Sequence, residues 1–294
     1  MSLERSPLLI SSPFKTPHGH AVGLFLITTF LWSLSGILLK PVHWHPLAAA
    51  SLRSGVAALS LLFWLKPSLP VSKELLGAFS YAGMVLFFVI ATLQTNVATA
   101  LFLQNTAPAY VLLLAPLLLK ERSRLTDGLA ILCAIAGVSM IFSARLSLTA
   151  LRGTVAGVFC GIFSALFVLS MRLRKDQNPL AIVFWGNLFA FLIGLPFLVQ
   201  SPLDPLPWGL LSLAGLFQLA IPFVLYSKAI RNVTALEAIL LSTLEVIMNP
   251  FWVWWIWKER LPSGTLVGGT LILSGLILRA LLQRSPPSPP KGMV

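Results

Sequence analysis

An arginine and a glutamate stand inside stretches otherwise fit only for hydrocarbon. Arg53 lies in PLAAASLRSGVAAL, and Glu245 in LLSTLEVIMNPFWVWWIW. A charge in a bilayer core is costly, and one that persists faces a cavity, water or a partner. A guanidinium presents a rigid fork of donors that suits a carboxylate, whereas a carboxylate suits an amine or a proton. Arg53 is about seven residues, roughly 10 Å, from one face of its span, and Glu245 about ten residues, roughly 15 Å, from the opposite face. In a core ~30 Å thick the two reach similar height. Three arrangements are open. The two form a buried ion pair; or Arg53 holds a solute carboxylate while Glu245 meets an amine or takes up a proton; or Arg53 snorkels to the interface. Glu237, close to Lys228 and Arg231, reads as a solvated or paired residue at a helix N-terminus, where anions are favoured.

Polar residues at comparable depth accompany these charges, Ser35 among them. The candidate solute-binding set is Arg53, Glu245, Gln104, Asn105, Trp32, Ser33, Trp185, Asn187, Gln218 and Asn249. Tyr110 and Tyr226 are further aromatic residues able to wall a cavity. Each of these side chains taken singly also has an ordinary use, in packing or in bonding one helix to another. Pro108, Pro116, Pro222 and Pro250 fall inside spans. Each removes a backbone hydrogen bond and bends its helix, and Pro108 and Pro250 are the candidate hinges.

Other chemistries find no residues at depth. Asp127, Asp176 and Asp204 lie in loops or at span edges, so a two-aspartate intramembrane protease is excluded. His18, His20, His43 and His45 precede the first span or sit in the first outer loop, so no buried Ser–His pair can form. His43-Trp44-His45 lacks carboxylate or thiolate company, and no metal is expected. No GxxxxGK[ST] motif is present. The chain reads as neither an enzyme nor the holder of a cofactor.

The elements that position the charges follow from composition. Hydrophobic residues make up 57% and charged residues 10% of the 294, with a mean hydropathy of +0.88. A soluble domain carries about 25% charged residues. Ten spans of about the length needed to cross hydrocarbon read as 20–39, 46–65, 75–94, 98–119, 126–144, 153–171, 179–199, 207–227, 235–257 and 264–283. Pro46, Pro179 and Pro207 stand at span starts, where a missing N–H costs nothing. The connections are too short for a soluble domain and force neighbouring spans to be antiparallel. Cys133 and Cys160 lie within apolar runs and are expected to stay free.

The net charge of +12 is spread as small basic groups between spans, which argues against nucleic acid and for contact with a lipid bilayer. With the N-terminus in the cytoplasm, fifteen Lys and Arg residues fall inside. Five (Lys40, Arg145, Arg152, Lys258, Arg260) fall outside. That bias obeys the positive-inside rule. Both termini are therefore expected in the cytoplasm, with no signal peptide and a bacterial inner (plasma) membrane location. The tryptophans at 252, 254, 255 and 257 suit an outer interfacial belt.

The chain also repeats itself. Lys-Glu-Arg closes an apolar run at 120–122 and again at 258–260, an offset of 138. Pro-Leu-Ala opens a span at Pro46 and at Pro179, an offset of 133. Gly19 and Gly23 match Gly153 and Gly157, and Gly137 matches Gly275. We expect a cytoplasmic tail over 1–18, a first repeat over 19–145, a second over 152–283 and a disordered Pro/Ser-rich tail over 284–294. Five spans per half puts one triplet inside and the other outside, so the halves are inverted and a solute site is expected near the midplane between them. The fold class is all-α integral membrane, ten transmembrane helices in two inverted five-helix repeats.

LWSLSG (31–36), the stretch from Arg53 to Ala57, NTAPAYVLLLAPLLLKER (105–122) and LLSTLEVIMNPFWVWWIWKER (240–260) resemble the drug/metabolite transporter superfamily and, within it, the EamA-type transporters. The resemblance covers about residues 20–283. It implies a proline about thirteen residues before each closing glutamate. Pro108 stands there in the first half, while the second half has Val246 and a later proline, Pro250. What the resemblance implies is a secondary active transporter, an exporter of small metabolites such as amino acids or related solutes, working by alternating access, with protons as the coupling ion considered. The expected partners are a small-molecule substrate and the bilayer, for a monomer or homodimer. The other reading is a membrane sensor or assembly factor on the same scaffold.

Overall fold

A computed structural model of the chain describes residues 17–66, 72–118, 125–143, 147–173, 179–233, 235–260 and 262–282. The tails, the first Lys-Glu-Arg triplet and Asp176 lie outside the described residues, as do the side chains of Glu237, Arg231 and Pro116. Among the described residues every regular element is helical. Helices α1 (Pro17–Ser33), α2 (Ser35–Leu39), α3 (Pro46–Leu61), α4 (Ser72–Gln94), α5 (Val97–Gln104), α6 (Ala107–Leu118) and α7 (Leu125–Ser143) fill the first half. Helices α8 (Leu148–Leu173), α9 (Pro179–Leu198), α10 (Pro205–Ala214), α11 (Ile221–Ala229), α12 (Ala235–Trp257) and α13 (Ser263–Leu282) fill the second. A π-helical turn, Gly215–Ala220, joins α10 to α11.

Helix starts follow local chemistry. Pro46 opens α3 behind His45, whose Nδ1 accepts from the Leu47 N–H at 3.3 Å. Asn96 caps α5 by accepting from the Thr99 N–H at 2.8 Å, and Asp204 caps α10. Lys258 takes the left-handed conformation (φ 53°) and closes α12, its N–H donating to the Trp254 carbonyl at 3.0 Å.

Three of the apolar runs are interrupted. The first breaks at Leu34, between α1 and α2. Upstream, Thr28, Thr29 and Ser33 turn their hydroxyls back onto the carbonyls of Leu24, Phe25 and Phe30, a pattern that bends helices. The fourth run breaks at Asn105–Thr106, where Asn105 Nδ2 donates to the Leu101 carbonyl at 2.9 Å and Thr106 Oγ1 to that of Leu103. Pro108 therefore does not kink a continuous helix. It occupies the first turn of α6, where its missing N–H costs nothing. The eighth run carries the π turn, with the Ile221 N–H reaching five residues back to the Leu216 carbonyl, and Pro222 follows at once. Pro250, by contrast, lies within an unbroken α12.

Among the described residues, seven helical stretches are long and apolar enough to cross a membrane. Large apolar side chains such as Ile27, Leu59, Leu132, Leu192 and Ile247 face outward, as lipid contact requires. Trp254, Trp255 and Trp257 are exposed together at the end of α12. Inside, the closest partnerships are α4 with α8, α3 with α9 and α7 with α13, while α1 packs on α11 and α12. Gly137 of α7 and Gly268 of α13 bring their backbones together, each leaving no room for a Cβ beside the other's carbonyl. Lys40 at the end of α2 pairs with Glu259 of the second triplet at 2.9 Å, and Arg279 of α13 with Asp127 of α7 at 2.7 Å.

Candidate functional site

The interrupted helices converge on one cavity of about 280 Å³. Each interruption turns side chains toward it: Trp32 and Ser35 flank the break in the first run, Gln104, Asn105 and Pro108 that in the fourth, and Gln218 sits on the π turn. Arg53 reaches the cavity from α3, Ser164 from α8, and Ser242 and Glu245 from α12. The lining thus comes from both halves of the chain.

The two charges line this cavity without touching each other. No ion pair joins Arg53 to Glu245 among the described residues. Arg53 is 3% exposed, and its Nε and Nη1 are enclosed without a hydrogen-bond partner. In this structure Arg53 neither pairs with Glu245 nor reaches the surface. The backbone of Arg53 is pressed against Gly215, where a Cβ would meet the Arg53 carbonyl, so α3 and the π turn touch main chain to main chain. Gln218, one turn further, is 2% exposed, and neither its Nε2 nor its Oε1 has a partner. A π turn in place of an α turn is a frequent mark of functional sites.

An aromatic wall completes the cavity. Trp32 meets Phe223 at 5.6 Å and Tyr226 at 5.7 Å between ring centroids, and Tyr81 backs this group from 5.2 Å behind Phe223. Phe88 and Phe167 also line the cavity, and Phe167 meets Tyr81 edge-on at 5.4 Å.

The cavity gathers Trp32, Arg53, Gln104, Asn105, Pro108, Gln218 and Glu245 from the candidates. It does not take the others. Asn249 is fully buried and spent on the chain: its Oδ1 accepts from the Gly36 N–H at 3.0 Å and its Nδ2 donates to Ser35 Oγ at 2.5 Å. Ser33 Oγ accepts from Trp252 Nε1 at 3.2 Å. Asn187 donates to Tyr81 Oη and the Val183 carbonyl. Trp185 packs on Phe184 and Phe189. Pro250 faces a separate apolar hollow between α12 and α13. Asn249, Ser33 and Asn187 bond one helix to another and Trp185 packs along its own, and helical periodicity cannot separate them from cavity residues when a span is apolar all round. Ser164, Ser242, Phe88, Phe167 and Phe223 went unnoticed. Each is a common residue in a membrane helix, and nothing in its local sequence sets it apart.

A bundle of apolar helices wrapped around a polar, charged cavity is an integral, multi-pass membrane protein of the kind that handles small solutes. The model of the EamA-like transporter family matches this chain twice, over residues 20–143 and 146–281, and the chain belongs to that family. It is 27% identical over 257 residues to an uncharacterised transporter of Archaeoglobus fulgidus, covering 86% of this chain and 93% of that one. It is 30% identical over 132 residues to an uncharacterised transporter of Helicobacter pylori, covering 45% of this chain and 38% of that one. A solved crystal structure superposes with a TM-score of 0.65 over 92% of this chain and all of that one, at 16% identity, a likeness of fold alone.

Proposed function

We propose that this protein is a secondary transporter that exports a small polar metabolite by alternating access, with the cavity as its solute site. The observation that carries this reading is the pair of unjoined charges, Arg53 and Glu245, in a cavity walled from both halves. Ten spans in two inverted halves, with both termini cytoplasmic, form its framework. The packing supports that framework. Exchanging the halves would map the second span onto the seventh, the fifth onto the tenth, and the third–sixth pair onto the eighth–first pair. The contacts of α3 with α9, α7 with α13, α4 with α8 and α1 with α11 follow that scheme. The distribution of Lys and Arg supports the orientation. One half rocks against the other around the cavity, driven by a proton or by the solute's own gradient.

Flux into proteoliposomes, with and without an imposed pH gradient, tests this. Solute-dependent flux is expected for at least one metabolite of a broad panel. Absence of flux across amino acids, amines and organic acids would sink the proposal. Flux that follows the pH gradient in the parent protein but not in Glu245→Gln assigns proton coupling to Glu245.

A further inference from the structure

We propose that the hollow between α12 and α13 binds one anionic phospholipid. An acyl chain lies along the two helices, and the phosphate is held by Lys258 and Arg260 on the loop that joins them. The inference stands on the fold and is independent of the solute.

The hollow measures about 540 Å³, more than the solute cavity, and among the described residues the two share no lining. Phe251 and Trp254 wall it from α12, and Leu266, Leu273 and Ile277 from α13. Ile247, Phe251, Trp254 and Leu266 are exposed, so it opens on the outer surface of the bundle. Leu266 to Ile277 spans roughly 16 Å along α13 at 1.5 Å per residue. That matches one leaflet, half of a core ~30 Å thick. An apolar slot left empty forfeits van der Waals contact along its lining, and a lipid chain of matching length supplies it. The slot also bears on the solute site. Ser242 and Glu245 of α12 line the cavity, whereas Val246 and Pro250 line the hollow. Pro250 offers the Val246 carbonyl no N–H. A chain seated there braces α12 at its weakened turn.

Charge identifies the polar end. The loop between Trp257 and Ser263 joins the two helices that wall the hollow, and so closes one end of it. Lys258, one turn beyond Trp254, and Arg260 are both exposed on this loop. The acid between them does not neutralise them, because Glu259 pairs with Lys40 of α2 at 2.9 Å. Two cations therefore remain over an apolar slot, beside exposed tryptophans of the kind that sit at headgroup level. A phosphate placed there meets both, and a headgroup without an ammonium brings nothing that they repel. The rival occupant is a second copy of this chain. Thr270 and Ser274, small and four residues apart, line the hollow, as close helix packing favours. Charge argues against it. A twofold contact is self-complementary, and one with its axis along the bilayer normal would set the Lys258–Arg260 pair of each copy against the other's.

The test uses the purified full-length protein, stripped of lipid in detergent and read by native mass spectrometry and thermal melting. The probes are phosphatidylglycerol and phosphatidylcholine with identical chains. One phosphatidylglycerol per chain is expected, together with a raised melting temperature. Phosphatidylcholine should bind about 30-fold more weakly, at about 5-fold for each of the two cations. The double variant Lys258→Gln, Arg260→Gln should bring phosphatidylglycerol down to the level of phosphatidylcholine. Ser274→Trp fills the slot, leaves both cations in place and should lose both lipids. The comparison of the two lipids on the unmutated protein decides the matter even where a variant fails to fold. Equal binding of the two overturns the proposal, as does a preference for phosphatidylglycerol that survives the double substitution. A lipid-free dimer that Ser274→Trp breaks overturns it in favour of the second copy.

Discussion

Asn249→Ala offers a measurement whose size follows from the structure. The side chain is fully buried, yet it faces no cavity; both of its polar atoms are used to fasten α12 to the break in the first apolar run. Alanine removes the acceptor from the Gly36 N–H and the donor from Ser35 Oγ. A hydrogen bond between membrane helices is worth about 0.6 kcal/mol on average, and a buried N–H left bare costs about 1–3 kcal/mol. The expected loss is about 2 kcal/mol, which at about 2–4 °C per kcal/mol lowers the melting temperature by about 4–8 °C. Cys160 is buried and Cys133 half-buried, so a thiol-reactive dye reads the transition without added labels. Ser35→Ala removes one of the two bonds and should cost about 0.6 kcal/mol. Because both variants break the same bond, the double variant should be scarcely less stable than Asn249→Ala alone. An unchanged melting temperature for Asn249→Ala refutes the reasoning, and so does full additivity of the two changes.

Gln218→Leu should raise the melting temperature while abolishing solute flux, since it removes two unpartnered polar atoms worth about 1–2 kcal/mol of desolvation; a lower melting temperature counts against the open amide. Gly137→Leu should disrupt the bundle, because a side chain there meets the Gly268 carbonyl. Overpacking of this kind costs about 1–3 kcal/mol or more. Gly128→Leu on the same helix serves as control, having nothing within 4 Å of the added Cβ. Equal behaviour of the two in size-exclusion chromatography would remove the α7–α13 contact from the account.

The helical, membrane-embedded character of the chain was legible from composition and run length, because a bilayer admits few other backbones. So were several ends, where Pro46 and Pro179 open helices with the N–H they lack. The finer interruptions were less so. Asn105 with Pro108 signals a break, but Leu34 carries no glycine or proline, and its cause lies in three upstream hydroxyls bonding backward. The π turn has no signature that an α-helix would not share. Arg53 and Glu245 drew notice because charge is rare at depth. Gln218 and Asn249 looked alike in sequence, and only packing separates them: one is left open beside the cavity, the other is consumed between helices.

The π turn has a consequence for how this gene can change length. A π turn loops one residue more than an α turn. Deleting a single residue elsewhere in a membrane helix rotates everything beyond it by roughly 100°. Deleting one within 215–220 instead lets the coil tighten to ordinary pitch while α10 and α11 keep their neighbours. An in-frame codon loss, among the harshest edits to most spans, is here a local one. It would remove the π turn that carries Gln218 to the cavity wall, and leave the other elements of that wall in place.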